Sequence, residues 1–433
     1  MARTLVRTIA LPQAIALYVG AVIGAGVILL PGMAASLAGP ASIVAWGFDA
    51  LLGAMLAGAF AALAVRMPEP GGVATYTARA FGGGAGAVVG WMYYIGAAIG
   101  QIIVPLAGAA YLAGPLGLDR TGTFIAAGLI LAIPLAANLR GLRISGNLAL
   151  TLAAMVALLL LAASLLSLPH QRFAAWTPFA PHGWVAVGQA AVLLFFAFSG
   201  WEAIAPLAAE FRNPRRDIPR ATIWGVALVT ALYLAVAAAT IGARVYGSPA
   251  VDSVSVALLL GDGLGAGASA IAAAVAVIVC VGTINAFMAG AARLAYGLAR
   301  ERAAPDWLAT LDERGTPIMG VWLIGLFAGA GLIFTYFADL SLDFWLALPN
   351  TLVLLTYILG MAAGARLLSG AGRLLAVATL LMCLVALPFT GLALGPALLI
   401  ALAAVGYRWA RLRQARTSAS VSALEVEKES EPV

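Results

Sequence analysis

The chain consists of twelve long apolar segments separated by short clusters of proline, glycine and arginine. A helix needs about 20 apolar residues to cross the hydrocarbon core of a bilayer. The segments lie at about 10–38, 41–65, 84–113, 121–139, 145–168, 185–208, 219–243, 265–297, 319–338, 343–366, 372–389 and 391–410. Charged residues make up only 10% of the 433 residues, too few to cover a soluble protein of this length. The sequence predicts an all-α polytopic membrane protein and excludes soluble and secreted disulfide-rich classes.

The basic residues lie at the ends of these segments and form no surface patch, which argues against nucleic-acid binding despite a net charge of +6. The amino end, the even-numbered connections and the carboxyl end carry twenty arginines and lysines. The opposite connections carry three, Arg120, Arg172 and Arg244. Because cytoplasmic loops are enriched in arginine and lysine, the bias predicts that both termini are cytoplasmic.

The spacing of the segments predicts one transmembrane domain over residues 1–410. Helices one to five occupy about 10–168, helices six to ten about 185–366, and two extra helices about 372–410. From Arg411 the chain becomes polar and then acidic, a composition typical of disorder. We therefore expect residues 411–433 to form a disordered cytoplasmic tail.

Glycines interrupt the first segment near its centre. Gly20, Gly24 and Gly26 lie within seven residues, and Pro31 follows. Glycine costs about 1 kcal/mol relative to alanine inside a helix, and unwound backbone at membrane depth survives only where it is buried or lines a cavity. Free N–H groups at a half-helix N-terminus would suit a substrate carboxylate. The alternative is close helix packing through small residues.

The sixth segment contains Phe196, Ser199, Gly200 and the acid Glu202, followed by Pro206. A charge in the middle of the bilayer is costly and by default indicates function; the alternative is a protonated, structural Glu202 bonded to neighbouring backbone. The first and sixth segments occupy matching places in two five-helix halves. A pair of interrupted segments in such positions indicates an inverted-repeat transporter.

Other polar residues in the apolar segments give weaker signals. Asp49, about a third of the way along the second segment, is a candidate for proton coupling or a structural partner of a neighbouring helix. Gln101, Asn285 and Asn350 are expected to form interhelical hydrogen bonds. Residues 145–168 contain no charge, which leaves the coupling ion open.

Several motifs resemble the amino acid–polyamine–organocation (APC) superfamily. The first-helix signature is Gly24-Ala25-Gly26-Val27 with Leu30-Pro31. The most specific match runs from Gly200-Trp201-Glu202 through Glu210-Phe211-Arg212-Asn213-Pro214 to Asp217-Ile218-Pro219-Arg220-Ala221. Further matches to the superfamily are Pro68-Glu69-Pro70-Gly71-Gly72 and Asn138-Leu139-Arg140-Gly141. Three more segments resemble the bacterial branch that exports methionine and branched-chain amino acids: Leu340-Ser341-Leu342-Asp343, Leu367-Leu368 and Arg373-Leu374-Leu375-Ala376-Val377.

The resemblance implies a leucine-transporter-type fold, with helices 1–5 and 6–10 as inverted repeats and helices 1 and 6 broken. It also implies a substrate site, whose residues are Val22, Ile23, Gly24, Ala25, Gly26, Val27, Phe196, Ala197, Phe198, Ser199 and Gly200. The N–H groups of Ala25, Gly26 and Val27 would meet the substrate carboxylate. The carbonyls of Val22, Phe196 and Ser199 would meet its ammonium, with Phe196 as an aromatic gate. Ala25 stands where many relatives carry a hydroxyl, so the carboxylate would depend on backbone donors alone.

These observations favour a secondary transporter in the bacterial plasma (inner) membrane. We expect it to export small apolar amino acids (methionine, leucine, isoleucine, valine) by alternating access, with Glu202 and Asp49 as gating or proton-coupling residues. The alternative is a proton-coupled importer or exchanger of the same superfamily. An enzyme, a cofactor, a metal site and a channel are not predicted. The coupling ion, proton included, and the choice between monomer and homodimer stay open.

Overall fold

A computed structural model describes residues 11–67, 72–141, 146–202, 208, 211–264 and 266–429. Within these ranges the chain folds into α-helices joined by short turns and 3-10 segments. The helices are α1 (Leu11–Val22), α2 (Ala25–Ala38), α3 (Ser42–Arg66), α4 (Gly72–Phe81), α5 (Gly83–Leu116), α6 (Arg120–Leu139), α7 (Gly146–Leu166), α8 (Gly183–Phe198), α9 (Pro214–Gly242), α10 (Pro249–Asp252), α11 (Ser255–Leu264), α12 (Ala266–Arg300), α13 (Ile318–Ala338), α14 (Leu342–Leu367), α15 (Gly370–Ala386) and α16 (Leu394–Glu429).

Eight continuous segments in the described part of the chain are long and apolar enough to cross a membrane. Two of them, Ala25–Arg66 and Gly370–Gln414, each contain two helices joined by a 3-10 turn. The helices α7 and α8 are also apolar, and α8 is short because it ends at Phe198, within the predicted sixth segment. With α1 and α2 counted as a single interrupted span, these elements make up the predicted twelve. The chain is a multi-pass membrane protein.

Three short helices lie where the sequence predicted only connections. The helix α4 follows the second span, and α10 and α11 lie between the seventh and eighth spans. None of the three exceeds ten residues, which is half of what a membrane crossing needs.

The end of the chain differs from the prediction. The disordered tail expected from Arg411 is instead a continuation of α16 to Glu429. Residues 411–429 contain no glycine or proline and are rich in alanine, arginine and glutamate, which favour helix. In addition, the Arg411 guanidinium pairs with Asp306 in the turn after α12, which holds this helix against the body of the protein.

The helices pack in two groups. The first contains α1, α2, α3, α8 and α9, and the second contains α5, α6, α12 and α13. Small residues allow the close contacts, as is common in membrane helices. A Cβ atom on Gly53 of α3 would lie 2.6 Å from Nε1 of Trp201, so only glycine fits there. The break between α1 and α2 and the end of α8 both belong to the first group and face the second across a central cavity.

Candidate functional site

The two predicted helix breaks are confirmed. The first lies between the end of α1 at Val22 and the start of α2 at Ala25, and Gly24 between them is extended, with φ −124° and ψ −157°. The second follows Phe198, where Ser199 is extended and Gly200 has φ +116°. Only glycine adopts that last conformation without strain.

The two breaks pack directly against each other. A Cβ atom on Gly26 would lie 2.9 Å from Cα of Ala197, and one on Gly200 would lie 2.5 Å from the carbonyl oxygen of Ala21. Each broken helix therefore uses a glycine to touch the backbone of the other. Close packing, the alternative reading of the first-helix glycines, is observed at Gly26, and it places the N-terminus of α2 beside the end of α8.

The first amides of α2 are available as donors. The initial N–H groups of a helix have no partner within the helix, and the cap residue Gly24 has no side chain to supply one. Among the described residues, no hydrogen bond uses the N–H of Ala25, Gly26 or Val27. The positive end of the helix dipole lies at the same place, so this terminus is suited to an anion.

Two of the carbonyls expected to receive an ammonium group already accept one hydrogen bond each. The oxygen of Val22 accepts a bond from the Tyr233 hydroxyl at 3.0 Å, and that of Phe196 accepts one from Ser199 Oγ at 3.1 Å. A carbonyl oxygen has two lone pairs. Each oxygen therefore keeps the capacity to accept a second bond.

A cavity of about 70 Å³ lies between the two breaks. Six predicted site residues line it: Val22, Gly24, Ala25, Gly26, Phe196 and Ser199. The other five lie behind this wall, namely Ile23, Val27, Ala197, Phe198 and Gly200. All five are buried, and they shape the breaks without lining this cavity.

The opposite wall was not predicted from the sequence. It consists of Tyr93, Gly96, Ala97, Gly100, Gln101 and Val104 from α5, Thr283 and Phe287 from α12, and Pro349, Asn350 and Val353 from α14. The α5 residues follow the spacing of one helix face, a signal that was present in the sequence. Every described lining residue is uncharged, so the cavity is suited to a neutral side chain.

The polar side chains of this wall differ in how they are paired. The Asn350 amide donates to the carbonyl of Leu193 on α8 at 3.0 Å, an interhelical bond as predicted. Gln101 donates to Ala97 within its own helix at 3.2 Å, and its Oε1 has no partner among the described residues. Asn285 lies outside the cavity and accepts a bond from Asn138 of α6 at 2.8 Å, again as predicted.

Glu202 lies immediately beyond the second break and is 7% exposed. Its Oε2 accepts hydrogen bonds from the Tyr357 hydroxyl at 2.7 Å and from the Gly200 N–H at 3.2 Å. Its Oε1 has no partner among the described residues. The carboxyl group lines a second cavity of about 680 Å³ together with Tyr93, which also lines the central one. Tyr93, whose side chain interacts with Glu202, is thus shared by the two cavities.

Asp49 is not part of this arrangement. It lies on α3 beside α15, is 1% exposed, and neither carboxylate oxygen has a partner among the described residues. It lines neither the central cavity nor the one at Glu202. Its role in proton coupling stays a prediction.

A third cavity, of about 650 Å³, lies on the side of the protein opposite Glu202. It contains Asp252 and Asp343, and Asn350 lines both this cavity and the central one. The central cavity therefore has a larger cavity on each side. Two broken helices that meet at a cavity between the halves of a membrane protein define a secondary transporter built from inverted repeats.

Comparison with known proteins agrees with this class. The family model for amino acid permeases matches residues 9–400, and the chain belongs to this family. It is 34% identical over 405 residues to the uncharacterized amino acid permease YecA of Bacillus subtilis. This alignment covers 93% of the present chain and 95% of YecA. Over 390 residues it is 29% identical to the L-methionine/branched-chain amino acid exporter YjeH of Escherichia coli, covering 88% and 91%.

Two further matches extend the comparison. The branched-chain amino acid permease BcaP of Lactococcus lactis is 26% identical over 354 residues, covering 75% of this chain and 76% of that protein. The crystal structure of MhsT in complex with L-phenylalanine superposes with a TM-score of 0.61 at 15% identity, covering 91% and 100%. The latter confirms the leucine-transporter-type fold. The motif residues Pro68, Glu69, Pro70, Gly71 and Glu210 lie outside the described residues.

The contact between the breaks predicts a difference between two neighbouring glycines. Gly26→Ala places a methyl group against the backbone of Ala197, which must move, whereas a Cβ on Gly24 would meet only the Thr283 side chain, with Oγ1 at 3.5 Å and Cγ2 at 3.8 Å. Overpacking typically costs about 1–3 kcal/mol, so Gly26→Ala should weaken amino acid binding about tenfold or more, and Gly24→Ala by less than about threefold. Binding measured on purified protein tests this; equal losses in the two variants would contradict the geometry.

Proposed function

We propose that the protein moves small apolar amino acids across the membrane by alternating access, most consistently as an exporter of methionine, leucine, isoleucine and valine. The observation that carries the proposal is a cavity with no charge among its described lining residues. It lies between the carbonyls at the end of α8 and the first amides of α2, which have no partner in the described part of the chain. An amino acid carries a carboxylate and an ammonium on one carbon. The amides match the first group, and the second lone pairs of the Val22 and Phe196 carbonyls match the other.

The lining of the cavity supports the choice of side chain. Phe196, Phe287, Val104 and Val353 offer apolar surface, and every described lining residue is neutral. A charged substrate side chain would lose its hydration there without gaining a partner of opposite charge, which is costly. Two relatives, the L-methionine/branched-chain amino acid exporter YjeH and the branched-chain amino acid permease BcaP, are named for substrates of this class.

Export is proposed from the motifs shared with the exporter branch, among them Leu340-Ser341-Leu342-Asp343.

The second candidate, a proton-coupled importer or exchanger, is favoured by one observation. Glu202 is buried, and it lines a cavity that shares Tyr93 with the central one. An ionisable group in such a place is suited to exchange a proton during the transport cycle.

We place the protein in the bacterial inner membrane with both termini in the cytoplasm, on the basis of the arginine and lysine bias. The cavity at Glu202, which also contains Arg79 and Arg293, then opens to the cytoplasm. The cavity with Asp252 and Asp343 opens to the outside. Cysteines are introduced singly at Gln171 and Ser418, and intact cells are treated with an impermeant thiol reagent. The cysteine at position 171 should be labelled and the one at position 418 should not. Labelling at position 418 alone would reverse the orientation.

The proposed substrate class is tested by reconstitution. Proteoliposomes containing the purified protein should move L-leucine or L-methionine at least about tenfold faster than L-arginine or L-glutamate, since a buried unpaired charge costs well over the 1.4 kcal/mol that a factor of ten represents. Liposomes without protein serve as the control. Faster movement of arginine or glutamate than of leucine and methionine would refute the proposal.

The proposed role of Glu202 is tested by Glu202→Gln, which mimics the protonated acid. Transport measured between about pH 5 and 8 should lose its pH dependence in this variant, while substrate binding changes by less than about tenfold, because the substituted group lies outside the central cavity. The matched control is Glu301→Gln, an acid in the same cavity, which should keep the wild-type profile. An unaltered pH profile in Glu202→Gln would remove this residue from coupling.

A further inference from the structure

Tyr233 of α9 lies behind the two helix breaks and is fully buried. Its ring makes edge-to-face contacts with Trp46 of α3, at a centroid distance of 5.6 Å, and with Phe198 of α8, at 5.0 Å. These contacts fix the direction of the side chain. Its hydroxyl group therefore points to one place.

That place is shared by both broken helices. The hydroxyl lies 3.0 Å from the carbonyl oxygen of Val22, the last residue of α1, and 3.2 Å from that of Ala197, the residue before the last in α8. The last carbonyls of a helix have no partner within the helix. The same hydroxyl thus forms a hydrogen bond with one free carbonyl at each of the two breaks.

A phenol has a single O–H, so the two bonds share one proton in a three-centre arrangement. This arrangement holds only while both carbonyls stay within reach, and separation of the two helix ends would leave one buried acceptor unpaired. Gly26 and Ala197 are already in contact, which prevents a closer approach. The hydroxyl limits separation, and the backbone contact limits approach.

We propose that Tyr233 is a positioning residue that holds the two breaks at a fixed separation, so that one amino acid is bound at its carboxylate by α2 and at its ammonium by the carbonyls of α1 and α8. This inference rests on the proposed function. Tyr233 does not line the central cavity, and it acts on the substrate by holding Val22, which lines the cavity, next to Ala197, which lies behind its wall. Its contacts also join α1, α3, α8 and α9.

The chain contains a matched control for this role. The Tyr18 hydroxyl of α1 is hydrogen-bonded at 2.8 Å to Thr222 Oγ1 of α9 and is equally buried. It joins α1 to α9, as Tyr233 does, but has no bond to α8. Tyr18→Phe and Tyr233→Phe each remove a phenol oxygen that forms a hydrogen bond between α1 and α9. Only Tyr233→Phe also removes a link between the two breaks.

The experiment measures dissociation constants for L-leucine and for L-leucinol, which keeps the ammonium and lacks the carboxylate. A ligand held at one end gains nothing from a fixed separation of the breaks. The preference for leucine over leucinol should therefore fall about tenfold in Tyr233→Phe and by less than about twofold in Tyr18→Phe. A purely structural role predicts a lower melting temperature in both variants with the preference unchanged.

A second variant keeps the test decisive if Tyr233→Phe does not fold. Site-specific p-aminophenylalanine at position 233 keeps the ring and has two N–H donors, one for each carbonyl, so the preference for leucine should stay within about twofold of wild type. Loss of the preference in this variant, or its retention in Tyr233→Phe, would overturn the role of Tyr233. Failure of wild-type protein to bind leucine would contradict the proposed function itself.

Discussion

The contact between Gly26 and Ala197 is the constraint on which the rest of the site depends. It brings the N-terminus of α2 against the end of α8, so that two chain segments whose contacting residues are 171 positions apart form one wall. Any side chain larger than hydrogen at position 26 would separate them. Gly200 makes the reciprocal approach to the backbone of Ala21. The glycines that weaken the two helices are thus the residues that join them.

Breaking a helix inside a bilayer releases backbone groups that no water can satisfy. The protein pairs several of them internally. Tyr233 serves the carbonyls of Val22 and Ala197, and the Gly200 N–H lies within hydrogen-bond distance of both Glu202 and Tyr357. The amides at the start of α2 have no such partner among the described residues. A substrate carboxylate would supply it.

The sequence was informative where local chemistry decides the structure. Glycines at the first break, and Gly200 next to Glu202, were sufficient to predict both interruptions, because glycine and a mid-membrane acid are unusual in an apolar helix. Tyr233 and Tyr357 were not predicted, since a buried tyrosine acquires its role only from partners distant in sequence. For the same reason, the sequence did not predict the wall that α5, α12 and α14 form. The continuation of α16 past Arg411 was missed because a polar composition was given more weight than helix propensity.

The central claim is that the two breaks form one amino acid site, and a structure with L-selenomethionine bound tests it most directly. Anomalous scattering from selenium identifies the side chain without ambiguity. The account predicts a selenium peak in the central cavity beside Phe196, with the carboxylate within about 3.2 Å of the Gly26 amide. A peak in the cavity of Asp252 and Asp343, or a carboxylate directed towards the end of α8, would contradict it.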